Sequence, residues 1–293
     1  MKALLIINPA AGGGRCAERV KPYVATLEGR GIEVELAHTS GPGDATRLAR
    51  EATADVVVAV GGDGTLFEVL NGLFPREEGV GPALAVLPLG TGNSFVRDFG
   101  IQEPEAAVRA LADGRRRTCD VVRARHADGE LYFINLLSVG FTARAGALTN
   151  KRFKPLGVGG YILAVLASLV KMEHPTYALS LDSGLMDTRA CTLLSFSNSR
   201  FTGGDMMMAP DADPTDGLVD FVRIGPMGRR RFLAAFPKIF KGTHPEMNEI
   251  DVTRVARVDF DMHEPVDVMV DGEIIRLALQ SLEVLPGAVE FVA

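Results

Sequence analysis

Short apolar runs alternate with glycine-rich loops and helical patterns through the first third of the chain. Residues 3–7, 55–60 and 83–87 are almost uninterrupted apolar runs, and a loop containing glycine follows each of them. Strands that are apolar on both faces are typical of a parallel sheet covered by helices on both sides. In such a sheet, the loops that follow the strands lie at one edge, where open α/β folds bind ligands. The pattern predicts an α/β domain over residues 1–122.

The pattern changes after residue 122. Residues 120–126 and 130–137 flank Ala127-Asp128-Gly129, which is a hairpin signal. Further strand-like runs follow at 177–181, 192–197, 217–224, 256–260 and 266–270, and helical segments at 160–172 and 229–240 interrupt them. This spacing predicts an all-β sandwich over residues 123–279. We leave open that residues 280–293 return to the first domain.

Composition narrows the function classes. The chain has 293 residues, with 31 Lys and Arg against 37 Asp and Glu, and its net charge of −6 disfavours a nucleic-acid partner. The three cysteines lie far apart without a CxxC spacing, which disfavours a zinc site. The longest apolar run, residues 157–170, is shorter than the roughly 20 residues of a membrane-spanning helix. We therefore expect a cytoplasmic protein.

Three glycine clusters carry the candidate chemistry: Gly12–Gly14, Gly61–Gly64 and Gly90–Gly92. One such cluster is equally well explained as a tight turn, but three at one sheet edge favour a polyphosphate site built from backbone N–H groups. Asp63 lies among these glycines and would repel phosphate unless a cation bridged them, which indicates a nucleotide bound with Mg²⁺. Thr65 and Glu68 fit a helix capping box at least as well as a ligand contact.

The family resemblance rests on Asn8-Pro9 with Gly12, on Gly61-Gly-Asp-Gly-Thr65 and on Pro88-Leu-Gly-Thr-Gly-Asn93. These motifs strongly resemble the nucleotide-binding signature of the diacylglycerol kinase catalytic-domain family, which includes bacterial soluble lipid kinases and the sphingosine and ceramide kinases. NAD kinases and phosphofructokinases share the GGDGT motif or variants of it. The Pro-Leu-Gly-Thr-Gly-Asn loop and Asp271-Gly-Glu273 favour the lipid kinases.

The resemblance implies a fold with an NAD kinase-like or phosphofructokinase-like α/β domain and a β-sandwich domain. It also implies phosphoryl transfer from ATP, with Mg²⁺, to a lipid hydroxyl. Diacylglycerol is the leading acceptor, with sphingoid bases or ceramide as the alternative. Asp63 is the expected catalytic residue on the nucleotide side, and Asp271 or Glu273 accepts the hydroxyl proton. The expected nucleotide-binding residues are Asn8, Gly12, Gly13, Arg15, Thr39, Gly61, Gly62, Gly64, Thr65, Glu68, Gly90, Thr91, Gly92 and Asn93.

Two later motifs also have plain structural explanations. The resemblance implies a structural Mg²⁺ site at Asp213, Asp216 and the Leu218 carbonyl, but this Pro/Asp-rich stretch fits a turn equally well. Asp271-Gly272 fits a two-residue hairpin turn, and such a hairpin could itself deliver the carboxylates. The chain departs from the family pattern at Ser94, where many members have Asp, and at Thr215, where many have a second Asp before the glycine.

A lipid acceptor requires contact with a bilayer, and we expect peripheral attachment at the inner face of the membrane. Residues 160–172 carry almost no charge, and Arg144, Lys151, Arg152 and Lys154 precede them, which suits an anionic interface. A helix that is apolar all round is slightly more typical of a protein core. Met206–Met208 fit core filling better than an acyl channel. We leave open that the protein forms a homodimer.

Two other function classes compete with a lipid kinase. An NAD kinase would act on a soluble acceptor, but no second Thr/Ser-rich motif follows GGDGT. A nucleotide sensor without catalysis would be favoured by loss of Asp63 or of both Asp271 and Glu273, and all three residues are present.

Overall fold

The computed structural model describes residues 1–76, 81–148, 165 and 167–293, which form two compact units. One unit comprises Met1–Val121 and Gly287–Ala293, and the other comprises Val122–Pro286. Residues 160–164 and 166 of the predicted helix at 160–172 lie outside the described residues, as do Lys151, Arg152 and Lys154. Within the described ranges, no helix is long and apolar enough to cross a membrane.

The first unit is built on a parallel sheet. Its elements are β1 (Lys2–Ile7), α1 (Ala11–Gly14), α2 (Cys16–Arg19), α3 (Lys21–Gly29), β2 (Glu33–His38), α4 (Asp44–Arg50), β3 (Val56–Gly61), α5 (Asp63–Leu73), β4 (Ala83–Pro88), a 3₁₀ helix (Phe95–Phe99) and α6 (Pro104–Asp113). The strand order is β2-β1-β3-β4, with all pairs parallel. Strands β3 and β4 are buried along their whole length, whereas β2 is a largely exposed edge.

The last strand of the chain completes this sheet. The chain passes from one unit to the other within β5 (Arg116–His126) and again within β17 (Leu279–Val292). Phe291 of β17 pairs in parallel with Leu84 of β4, so the C-terminal residues belong to the α/β unit. Phe291 also packs edge-on against Phe95, with 5.2 Å between the ring centroids.

The second unit is antiparallel β-structure. Its strands are β6 (Gly129–Phe133), β7 (Leu136–Gly140), β8 (Leu179–Leu181), β9 (Leu193–Ser197), β10 (Phe201–Thr202), β11 (Met206–Met207), β12 (Val219–Ile224), β13 (Ile250–Val255), β14 (Arg257–Phe260), β15 (Val266–Val270) and β16 (Glu273–Leu277). One sheet has the order β13-β12-β9-β7-β15-β16. The helices are α7 (Phe141–Leu148) and α8 (Arg229–Ile239), with 3₁₀ helices at Leu169–Lys171 and His244–Glu246. The predicted fold class, an α/β domain followed by a β-sandwich, is confirmed.

The predicted strand at 130–137 is wrong in one respect, because it is two strands. Strand β6 pairs with β5, whereas β7 pairs with β9 and β15 in the other sheet. Between them, the backbone N–H groups of Ile134 and Asn135 donate to the Asp271 carboxylate. Because these two N–H groups donate to a side chain, they cannot pair with a neighbouring strand. Strand β6 therefore ends, and the chain continues in the other sheet.

The core of the second unit lies beneath α8. Met206 and Met208 are buried there with Phe141 and Phe232, whose ring centroids are 4.7 Å apart. These side chains line an apolar cavity of about 50 Å³. The two methionines therefore pack in the core, as the sequence favoured. Val165, from the segment predicted to be helical, is also part of this core.

Candidate nucleotide-binding and catalytic site

The predicted nucleotide-binding loops lie at the carboxyl ends of four neighbouring parallel strands in the first unit. Asn8 follows β1, Thr39 follows β2, Gly62 follows β3, and Gly90 lies in the loop after β4. The Asn8 N–H donates to Val60 O at 3.1 Å and the Thr39 N–H donates to Ile7 O at 2.9 Å, so the loops begin as continuations of the sheet ladder. The structure therefore brings these four loops together at one edge of the sheet, as their positions after the strands predicted.

Two of the loops approach each other so closely that a side chain would not fit. A Cβ atom added to Gly90 would lie 2.5 Å from the Cα and 2.7 Å from the N of Gly62. The Gly90 N–H also donates to Gly61 O at 2.8 Å. Contacts between backbones at this distance require glycine, and they fix the two loops as one surface.

The first loop turns through three glycines with left-handed backbone. Gly12, Gly13 and Gly14 have φ of 58°, 72° and 80°. A Cβ on Gly12 would lie 2.5 Å from Leu89 O, whereas the corresponding positions at Gly13 and Gly14 meet nothing within 4 Å. Gly12 therefore packs this loop against the loop after β4, and the next two glycines leave the backbone accessible to a ligand.

The predicted capping box at Thr65 and Glu68 is wrong. Helix α5 begins at Asp63 with Gly62 in the N-cap position, so Thr65 lies inside the helix. Its Oγ1 accepts a hydrogen bond from Asn8 Nδ2 at 3.2 Å, which joins the loops after β1 and β3. Glu68 Oε2 accepts the N–H of Ala45 at 3.2 Å, in the first turn of α4. Both side chains thus make contacts outside their own helix, which local spacing does not reveal.

Asp63 holds the loop after β4. Its Oδ1 and Oδ2 accept the N–H of Ser94 at 2.9 and 3.1 Å, and Oδ1 also accepts the Phe95 N–H at 3.4 Å, at the start of the 3₁₀ helix. Burial raises the pKa of Asp63, although these N–H groups and Arg97 act in the opposite direction. A Cβ at Gly92 would lie 2.9 Å from Oδ2, so the glycine makes room for the carboxylate.

Asn93 carries an unused hydrogen-bond acceptor. It has a left-handed φ of 51°, and its Nδ2 donates to Pro88 O at 3.3 Å and to Gly90 O at 3.1 Å. These two carbonyls fix the orientation of the amide, since the reversed orientation would bring oxygen against oxygen. Asn93 Oδ1 is buried and accepts no hydrogen bond from the described residues. A buried acceptor of this kind normally has a partner, and a nucleotide hydroxyl or amine group would supply one.

The remaining predicted nucleotide ligands differ in exposure. Arg15 and Thr91 are exposed, and Thr39 and Gly64 are half-buried. Sequence reasoning missed two cations at these loops. Arg19 Nη1 lies 3.3 Å from the Cβ position of Gly12, and Arg97 stabilises the charge on Asp63. The spacing could have revealed Arg19, because it lies four residues after Arg15 and therefore on the same side of a helix.

The predicted Asp-Gly hairpin turn in the second unit is confirmed. Val270 pairs with Glu273, so Asp271 and Gly272 form a two-residue loop between β15 and β16. Their φ values are 46° and 90°, as a turn with two left-handed residues requires. Asp271 is 2% exposed, whereas Glu273 is exposed to solvent.

The Asp271 carboxylate is occupied by backbone donors. Its Oδ1 accepts the N–H groups of Asn135 and Leu136, and its Oδ2 accepts the N–H of Ile134, all at 3.0 Å. An anion held by three N–H groups is a poor proton acceptor, because protonation would remove at least one of these bonds. Of the two predicted acids, Asp271 is therefore occupied by backbone donors, whereas the Glu273 side chain is exposed to solvent.

The stretch around Asp213 forms a turn. Asp213 Oδ1 accepts the N–H of Thr215 at 3.0 Å and its hydroxyl at 2.7 Å, and Asp216 Oδ1 accepts the N–H of Leu218 at 3.0 Å. Arg254 Nη1 lies 3.9 Å from Asp216 Oδ2. No group of three or more His, Cys, Asp or Glu side chains that could hold a metal ion occurs in the part of the chain that the structure covers. The structural Mg²⁺ site stays a prediction.

Two family models together match nearly the whole chain. The diacylglycerol kinase catalytic domain matches residues 2–124, and the YegS C-terminal NAD kinase beta sandwich-like domain matches residues 135–293.

Known proteins resemble the chain over nearly its full length. A Mycobacterium tuberculosis protein named diacylglycerol kinase is 30% identical over 295 residues, covering 99% of this chain and 94% of that protein. A Bacillus subtilis protein of the same name is 29% identical, covering 93% of this chain and 89% of that protein.

A solved structure shows the same fold. It comes from Bacillus anthracis str. Sterne, is described as that of a "putative diacylglycerol kinase", and is 26% identical with a TM-score of 0.83, covering 99% of this chain and 94% of that one. The glycine loops, the β-sandwich and these similarities all indicate the same family. The chain belongs to the diacylglycerol kinase catalytic-domain family of ATP-dependent lipid kinases.

Proposed function

We propose that this protein transfers the γ-phosphoryl group of ATP to the free hydroxyl of diacylglycerol, giving phosphatidic acid and ADP. The observation that carries the proposal is the close approach of Gly62 and Gly90, which joins the loops after β3 and β4 into one surface. In this proposal the phosphates of ATP bind to that surface. The relatives from Mycobacterium tuberculosis and Bacillus subtilis, named diacylglycerol kinase, support this acceptor over a sphingoid base or ceramide.

The loops bind the nucleotide through backbone N–H groups and nearby cations. The open backbone at Gly13 and Gly14 accommodates phosphate oxygens, and Arg15 and Arg19 on the following turns offset their charge. Helix α5 adds its N-terminus at the same sheet edge. Positioning and charge neutralisation supply most of the rate enhancement in phosphoryl transfer.

The residues at the loops fit the Mg²⁺ that accompanies ATP. Mg²⁺ keeps several waters and takes one or two carboxylates together with substrate phosphates. Asp63 is the acidic residue of the three glycine loops, and burial raises its pKa, so a neighbouring cation would favour its ionised form. Asp63 would therefore hold the ion, which would neutralise phosphate charge when bound. Asp63 also orders the loop after β4 through Ser94.

Glu273 acts as the general base. It takes the proton of the acceptor hydroxyl while that oxygen forms its bond to the γ-phosphorus and the bond from phosphorus to the ADP oxygen breaks. The products are the phosphorylated lipid and ADP, with the proton on Glu273 passing to solvent. Asp271 positions Glu273 by locking the turn that carries it.

An acceptor panel tests the proposal. Purified protein is incubated with labelled ATP and Mg²⁺ and with diacylglycerol, sphingosine, ceramide or NAD, each lipid dispersed in detergent micelles, and the labelled products are identified. We expect phosphatidic acid to form fastest and Glu273→Gln to slow its formation by roughly 10²- to 10⁴-fold. Faster labelling of sphingosine or ceramide would contradict diacylglycerol as acceptor, and faster labelling of NAD would contradict a lipid acceptor altogether.

A further inference from the structure

Helix α8 has an inner stripe that packs on the core of the second unit. Phe232 and Ile239 are buried, and Ala235 and Phe236 are partly buried against the same core. These four positions are spaced three, four and seven residues apart, so they form one face of the helix. They line the apolar cavity of the unit.

The outer side of α8 exposes large apolar side chains. Leu233 is 43% exposed and Phe240, directly after the helix, is 36% exposed. They lie seven residues apart, which places them on the same side two turns from each other. Arg229 Nη2 donates to Val170 O at 2.8 Å, so Val170, 69% exposed, lies beside the start of the helix.

This apolar side is surrounded by positive charge. Residues 229–241 contain Arg229, Arg230, Arg231, Lys238 and Lys241 and no Asp or Glu, in a chain whose net charge is −6. Arg231 pairs with Glu249 at 2.9 Å. Lys171, next to Val170, is also exposed.

We propose that the outer face of α8, together with Val170 and Lys171, docks the protein on an anionic lipid bilayer. A helix with exposed Leu and Phe beside Arg and Lys has the chemistry of an interfacial helix: the apolar groups enter the boundary of the acyl chains and the cations pair with anionic headgroups. Because the whole protein is acidic, attraction to such a surface must come from a local patch.

The inference deepens the proposed function, because it rests on an acceptor that resides in a membrane. It differs from the basic segment predicted at Lys151, Arg152 and Lys154. The docking face consists of α8 with the adjoining Phe240 and Lys241 and of Val170 and Lys171, and none of these is a predicted site residue. Its contribution to membrane binding is therefore separable from catalysis.

Vesicle flotation tests the docking face. The charge variant is Arg230→Gln with Lys241→Gln, whose matched control is Arg30→Gln with Arg50→Gln on the exposed surface of the first unit. The apolar variant is Leu233→Ser, and its control is Leu185→Ser, since Leu185 is also exposed but lies on another turn. The vesicles are phosphatidylcholine with or without phosphatidylglycerol, each at low and high salt.

We expect the wild type to float with the anionic vesicles at both salt concentrations and to bind them more weakly at high salt. The charge variant should lower the partition coefficient about 25-fold, because it removes two basic groups and each basic group near the surface contributes about fivefold. Leu233→Ser should weaken binding to the anionic vesicles at both salt concentrations, and both controls should bind like the wild type. Flotation of the charge variant at the wild-type level would overturn the proposal. The proposal would also be overturned if the α8 variants lost self-association but bound vesicles like the wild type. The face would then join two copies of this chain.

Kinase activity on diacylglycerol in detergent micelles separates the two proposals. The α8 variants should keep wild-type activity there and lose activity on anionic vesicles. A wild type that floats with vesicles but phosphorylates no lipid in micelles would contradict the proposed function and leave the docking face supported. Variants that lose activity equally in micelles and vesicles would contradict the docking role.

Discussion

Asp271 and Leu136 are joined by two hydrogen bonds of 3.0 Å: the Leu136 N–H donates to Asp271 Oδ1, and the Asp271 N–H donates to Leu136 O. The pair ties the turn between β15 and β16 to the start of β7. Since Glu273 follows this turn, its backbone position depends on the tie. In the proposed function, Asp271 is thus the residue that positions Glu273.

Asp271→Asn should lower stability. The Asn oxygen could still accept two N–H groups, but its amide nitrogen would face the Ile134 N–H as a second donor. We expect a loss of about 1–3 kcal/mol in the free energy of unfolding, measured with denaturant. Asp267→Asn is a control at an exposed position of β15 and should change the stability by less than about 0.5 kcal/mol. Equal stability of D271N and wild type would show that the three N–H bonds contribute little.

Glu273→Gln should remove the proposed base and leave the fold intact. The side chain is exposed, so we expect an unchanged unfolding curve and a kcat lower by roughly 10²- to 10⁴-fold, with KM for ATP unchanged. Glu264→Gln, an exposed acid elsewhere in the same unit, is the control. A kcat within a few-fold of wild type would exclude Glu273 as the base.

Gly90→Ala should disrupt the predicted nucleotide-binding loops. The added Cβ would lie 2.5 Å from Gly62 Cα, and neither backbone can move without separating the two loops. We expect destabilisation of about 1–3 kcal/mol and a fall in kcat/KM for ATP on the order of 100-fold. Gly29→Ala is the control, because nothing lies within 4 Å of its Cβ position and it ends a helix. ATP titration calorimetry measures the affinity of each variant for ATP. An affinity of G90A equal to that of the wild type would refute the shared surface.

Asp63→Asn should abolish most turnover without unfolding the protein. The amide oxygen can still accept the Ser94 N–H, but the variant loses the negative charge that would hold Mg²⁺. We expect kcat to fall about 100-fold or more and the Mg²⁺ concentration for half-maximal rate to rise. If only the affinity for ATP changed and the Mg²⁺ dependence stayed as in the wild type, the role of Asp63 would be to hold the loop.

The sequence alone was sufficient for the parallel sheet and its loops because their signals are local. Strands β3 and β4 are continuous apolar runs, and the glycines that follow them lie at the sheet edge by the geometry of parallel strands. The Asp271-Gly272 turn was also readable, since two left-handed residues in succession strongly favour this dipeptide.

Long-range contacts account for what the sequence did not reveal. The break between β6 and β7 depends on Asp271, which lies 135 residues or more along the chain from its three donors. Thr65 and Glu68 had ideal capping spacing, yet each bonds to another element. Strand β13 was missed because it is a sheet edge whose central residues face solvent, so the sequence lacks an apolar run.

His244 should make the protein sensitive to acid. It is buried, and its Nε2 lies 3.0 Å from Met208 O, while burial lowers its pKa from 6.5. Below pH 6.5 the unfolded chain therefore binds a proton that the folded protein resists, so stability falls as the pH decreases from 6.5 toward the folded pKa and is constant above that window. His244→Gln keeps a donor for Met208 O and takes up no proton.

The expected result is a Tm that declines less steeply below pH 6.5 in H244Q than in wild type. His38→Gln, at an exposed histidine, should leave the wild-type slope unchanged. Thermal unfolding over a pH series compares the three proteins, and the difference in slope is the informative quantity because it cancels any constant loss from repacking the cavity. Parallel curves for H244Q and wild type would mean that His244 titrates alike in the folded and unfolded states, in spite of its burial.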